Sequence, residues 1–107
     1  MEAPKLLITL AHLFGGMFAV NAIPHFVAGV QGRPFPSPFA KPPGRGLSRP
    51  MVNVGWGAAN AVVAWLLLAL PGPLDLTSPA DALAFGLGAL SMGLMLASWF
   101  GKVEDAG

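Results

Sequence analysis

Three stretches of the chain, residues 6–30, 51–70 and 80–100, are almost continuous in apolar side chains and carry a single charged residue between them, Asp81. Each reaches the ~20 residues an α-helix needs to cross ~30 Å of hydrocarbon. The pattern predicts an all-α integral membrane protein of three transmembrane helices. One membrane domain then takes up residues 1–107, with spans at about 6–30, 51–70 and 80–100, loops at 31–50 and 71–79 and a tail at 101–107. Boundary signals support this division. Pro4 suits the first turn of a helix, Pro71-Gly72-Pro73 ends the second span, and Ser78-Pro79-Ala80-Asp81 has the form of a capped helix start. Ser48 is placed to help start the second helix, and Gly101 to stop the third.

Within the spans, small residues recur every four positions. Ala11, Gly15 and Ala19 form one such stripe and Ala89, Gly93 and Ala97 another. Such stripes let a second helix backbone come close. The middle span places Asn53, Gly57, Asn60, Ala61 and Ala64 on one face, and amides at that depth are expected to face protein rather than lipid. Pro24 removes one helical hydrogen bond between Asn21 and His25 and is expected to re-aim the histidine.

Composition agrees with a membrane location: 54% of residues are hydrophobic and 10% charged, against ~25% charged in an average soluble domain. The formal net charge of +1 says little, but its placement says more. Arg33, Lys41, Arg45 and Arg49 share one loop that holds no acid, so the positive-inside rule puts that long proline-rich loop in the cytoplasm, giving an N-out, C-in chain. The loop has too many prolines to be helical, and Phe35 and Phe39 flank Pro36-Ser37-Pro38. It reads as a strap, with phenylalanines at the headgroup boundary or on a partner and four cations towards anionic lipid. Val20-Asn21-Ala22 resembles a signal-peptide cleavage site, but the apolar run continues beyond it, which argues against cleavage.

Candidate chemistry is sparse. With no cysteine there is neither a disulfide framework nor a thiolate nucleophile. The sequence offers no paired intramembrane carboxylates, no Ser/His/Asp arrangement, no phosphate loop and no HExxH pattern, so no catalytic residue, metal site or enzymatic activity is expected. The basic loop is too rich in proline to suggest nucleic-acid binding. His12 and His25 raise the question of haem, being thirteen residues, or about 20 Å, apart along a helix. However, a straight helix turns the two rings ~140° from one another, and bis-histidine ligation would require a second copy of the chain. Small neighbours at Ala11, Gly15 and Gly16 leave space beside His12 for a flat pigment; the plainer account is a hydrogen bond to another helix. For His25 the plainer account is a hydrogen bond to Asn21 or to the carbonyl freed by Pro24, and the sharper one a proton or quinone site that includes Asn21 and Asn53.

The run Asn21-x-x-Pro24-His25-Phe26, continuing through Phe35-x-Ser37-Pro38-Phe39-Ala40-x-Pro42-Pro43-Gly44-x-Gly46 to Asn53-Val54-x-Trp56-Gly57, resembles a family of small uncharacterised bacterial integral membrane proteins. The resemblance covers about a third of the chain and implies a location, the bacterial cytoplasmic membrane, without implying a reaction. More packing faces than a lone protein needs, among them Gly57 and Asn60, lead to the expectation of a non-enzymatic accessory subunit of a larger respiratory or photosynthetic membrane complex, with no cofactor of its own. The alternatives are a quinone, pigment or haem binder centred on His25 or His12, and a homo-oligomeric transporter or channel.

Overall fold

A computed structural model of the chain describes residues 3–106. It contains three helices, α1 (Lys5–Val30), α2 (Pro50–Ala69) and α3 (Pro79–Ala106), and a two-stranded hairpin of β1 (Phe35–Pro36) and β2 (Leu47–Ser48). All three helices are long and apolar enough to cross a membrane. The chain passes along α1, back along α2 and forward again along α3. Accordingly Gly29 of α1 lies by Pro50 at the start of α2, and Gly16 lies by Phe85 near the start of α3.

α1 is the central element. Both α2 and α3 pack on it and scarcely on each other. Lipid tails are as apolar as leucine, so these helices gain little from hiding leucines and associate by close backbone approach instead. Glycine is what allows the approach. A Cβ at Gly57 would stand 2.8 Å from the backbone nitrogen of Phe26, and one at Gly29 would stand 2.7 Å from the Pro50 carbonyl oxygen. On the other side, a Cβ at Gly16 would collide with the carbonyl of Phe85, and one at Gly88 with the carbonyl of Leu13. Leu83, Leu87, Leu90 and Leu94 of α3, and Val62, Trp65 and Leu66 of α2, are left on the outside.

The loop folds as a cap over one end of the bundle. Phe35 pairs with Ser48 and Pro36 with Leu47, in antiparallel register. Between the strands, the Ser37 carbonyl accepts hydrogen bonds from the amides of Ala40 (3.2 Å) and Gly44 (2.8 Å). Gly44 has φ +75°, which favours glycine, and Gly46 passes against the Lys41 carbonyl where a Cβ has no room. Ser48 therefore belongs to the hairpin and does not cap α2; Arg49 precedes that helix without a side-chain cap, and Pro50 fills its first position.

At the opposite end, Asp75 accepts hydrogen bonds from the hydroxyl (2.5 Å) and amide (2.9 Å) of Thr77, and Asp81 accepts one from the Asp75 amide (3.0 Å). The Thr77 hydroxyl, and then its amide, hold the Asp75 carboxyl below its usual range. Its folded value lies under its unfolded one, so this turn's contribution is present above about pH 4 and fades as pH falls through the lowered value. Gly101, expected to stop the third helix, is instead passed through. Lys102, Val103, Glu104 and Asp105 continue the helix, and one interior glycine costs only ~1 kcal/mol.

Gly88→Leu should separate α3 from α1. Gly86→Leu, at a site where a Cβ meets nothing within 4 Å, should leave the fold unchanged. Thermal unfolding in detergent should show the first destabilised by at least ~3 kcal/mol and the second within ~0.5 kcal/mol of the parent.

Candidate functional site

The polar groups of the spans form three clusters along α1, each joining it to another part of the chain. The middle one is the simplest. The Asn60 side-chain amide donates to the Trp56 carbonyl one turn earlier (2.9 Å), and its oxygen accepts from the Asn21 side chain (2.8 Å). This order fixes both amides, because the Asn60 nitrogen is taken by a carbonyl that can only accept. The Asn21 side-chain oxygen has no hydrogen-bond partner among the described residues.

The second cluster lies one turn further along α1, under the cap. Asn53 is completely buried, and its Nδ2 donates to the carbonyls of Phe35 (3.0 Å) and Ser48 (3.2 Å), one from each strand of the hairpin. Its Oδ1 faces His25 Nδ1 at 2.9 Å. A carboxamide oxygen can only accept, so His25 carries its proton on Nδ1, and in the neutral ring Nε2 is an unprotonated acceptor. Ser37 and Ser48 share a hydroxyl–hydroxyl bond of 2.6 Å just above. The His25 ring is held edge-on by Phe35, Phe100 and Trp56, at centroid separations of 5.5, 6.1 and 6.4 Å. α3 joins the cluster through Trp99, whose indole N–H donates to the Gly44 carbonyl (2.8 Å) while the Arg45 guanidinium lies over its ring.

A cavity of about 170 Å³ opens here, lined by His25, Asn21, Ser37, Trp56, Trp99 and Phe100 among others. His25 is only 3% exposed. Its Nδ1 is engaged by Asn53, and Nε2 is the ring nitrogen left without a protein partner.

The third cluster closes the far end of the bundle. His12, 1% exposed, donates from Nε2 to the Gly72 carbonyl (2.6 Å) and turns Nδ1 towards Asp81 Oδ1 at 3.6 Å. In the neutral ring Nδ1 is buried without a hydrogen bond. His12 thus ties α1 both to the turn after α2 and to the first turn of α3.

The sequence-derived candidates are accordingly dispersed. His25 and Asn21 share the cavity, while His12 lies at the other end of α1 with no open space beside it. A macrocycle finds room at neither ring, since His12 is enclosed and His25 opens only onto about 170 Å³. No group of three or more metal-ligating side chains occurs among the described residues. Ala11 is buried and Ala19 half-buried; Gly15 meets Leu67 and Leu68, and Gly57 meets Ala22 and Phe26, all within the chain. On α3, Ala89 lies beside Gly16, a Cβ at Gly93 would meet only Val20 at 4.0 Å, and Ala97 is exposed. Arg33, Phe39, Lys41, Arg45 and Arg49 are exposed on the cap, whereas Phe35 is turned inward onto His25 and Phe100. The His12–Asp81 contact and the ring set of Trp56, Trp99 and Phe100 are additions that spacing along the chain did not show. No protein-family model, curated protein or solved structure matches this chain.

Asn53→Leu should release the cap, because it leaves two strand carbonyls and the His25 N–H unpaired. A cost of about 3 kcal/mol is expected, with rapid proteolysis between residues 31 and 49. Asn60→Leu, which breaks one interhelical bond, should cost about 0.6 kcal/mol and leave the cap resistant. Equal protease sensitivity of the two variants would contradict the role given to Asn53.

Proposed function

We propose that this chain is a non-enzymatic accessory subunit of a larger complex in the bacterial cytoplasmic membrane, with the respiratory and photosynthetic assemblies as the host class. The observation that carries this reading is the unequal use of small residues. Gly15, Gly16, Gly29, Gly57 and Gly88 are each closed by a neighbour within the chain, whereas on α3 Gly86 and Ala97 are left open beside exposed Leu90 and Leu94, and half-buried Gly93 between them has only Val20 at 4.0 Å. A membrane helix gains nothing from small residues facing lipid, and a second protein's helix can use them for close approach. The polar side chains give the reading further support: Asn53, Asn60 and Ser37 are engaged in holding helices and cap together.

The cap supplies the second contact surface. Arg33, Lys41, Arg45 and Arg49 are exposed, and none forms an ion pair with an acid among the described residues. Their density supports a cytoplasmic cap, with the N-terminus outside and the C-terminus inside. There they face anionic headgroups or a partner's acids, each contributing about 1 kcal/mol at a lipid surface.

Extraction from native membranes in mild detergent through a tag at the C-terminus should recover one large complex in stoichiometric amount. Gly93→Leu should reduce that recovery at least tenfold while leaving the chain's own thermal unfolding unchanged. Recovery of the chain alone, or a Gly93→Leu variant that co-purifies as well as the parent, would refute the accessory role.

A further inference from the structure

The cavity under the cap goes beyond an accessory role and does not depend on it. Two hydrogen-bond acceptors with no protein partner border it. In the neutral ring His25 Nε2 is an unprotonated acceptor, since Nδ1 donates to Asn53, and the Asn21 oxygen has no partner among the described residues while its amide nitrogen donates to Asn60. The two residues are four apart on α1 and hence on one face of the helix. His25 as a residue is only 3% exposed, and its unpartnered Nε2 keeps its accessible surface towards the cavity.

The cap closes the top with Pro36, Ser37, Pro38 and Gly44, and the side walls are aromatic, Trp56 from α2 and Trp99 and Phe100 from α3. Their rings favour a flat π-system in edge or offset contact. The volume, about 170 Å³, suits one six-membered ring, since an apolar cavity of ~150 Å³ holds benzene. His25 lies five residues before the end of α1, roughly 7 Å along its axis, so the cavity sits near one end of the first span.

We infer that this cavity binds a hydroxyl-bearing aromatic ring, the head group of a membrane hydroquinone, with a ring hydroxyl donating to His25 Nε2 and the Asn21 oxygen as second acceptor. The chemistry sets the selectivity. A hydroquinone brings two O–H donors to a site that offers acceptors. The corresponding quinone has only carbonyl oxygens, which cannot donate, so it would leave both acceptors unmet. The Trp56 indole N–H and the Ser37 hydroxyl are donors on the same walls, so the two free acceptors favour the reduced ring over the oxidised one without excluding the latter, and the site performs no redox step.

The test uses the purified full chain in detergent with ¹⁵N-labelled histidine rings. Before any addition, His25 should show an unprotonated Nε2 and a protonated Nδ1. A tail-less methylated hydroquinone, kept reduced by dithionite, should move the Nε2 resonance towards the protonated range and leave both His12 signals in place. The matching quinone should bind at least tenfold more weakly. His25→Phe should abolish hydroquinone binding, and the comparison on the unmodified protein decides the matter even where that variant fails to fold. Equal binding of both redox forms, a response at His12 in place of His25, or no response to either ring would overturn the proposal; in the last case water alone fills the cavity.

Discussion

The Asn53 carboxamide holds this architecture together. It has no contact with solvent or lipid, and its three strong hydrogen bonds reach both strands of the hairpin and the histidine on the neighbouring helix. In a low-dielectric surrounding, a buried amide is favourable only when each of its groups is met. The geometry of loop, α2 and His25 is therefore specified jointly. The same bond decides which nitrogen of His25 carries the proton, so one structural amide determines the chemical character of the cavity beside it.

The rest of the bundle follows from a second constraint, the weakness of apolar attraction between helices in lipid. α1 supplies small residues on two sides and so receives a helix on each. α2 closes over Gly15 and Gly29, with its own Gly57 set against α1, and α3 closes over Gly16 and brings Gly88 to Leu13. Polar contacts then fix register at intervals: His12 at one end, Asn21 with Asn60 midway, and His25 with Asn53 at the other. Each involves α1, which accounts for α2 and α3 hardly meeting.

The helices were legible because length and apolarity are local properties, and the three spans stand out from the charge pattern alone. Asn53 and Asn60 were placed on a protein-facing side for the right reason, the cost of an amide in lipid. Their partners were not legible. Helical periodicity shows which face a residue shares, whereas the bond from His25 to Asn53 joins residues 28 apart across a loop whose course depends on turns at Gly44 and Gly46. For the same reason the extended strap expected from the prolines is a folded hairpin, because the serine pairing between Ser37 and Ser48 has no signature in spacing. The helix stop expected at Gly101 failed because the residues that follow are compatible with helix and no tertiary contact ends it.

Trp99 and Phe100, which complete the cap and one wall of its cavity, come near the end of the sequence, whereas the loop they close lies between the first two helices. A ribosome delivers these parts in order. The hairpin can pair and dock on Asn53 as soon as α2 has emerged, yet Gly44 must wait for its indole partner until nearly all of α3 has been made and inserted. Closure of the cap thus waits on the third helix: a chain interrupted before residue 99 presents an unfinished cap with no Trp99 or Phe100 wall.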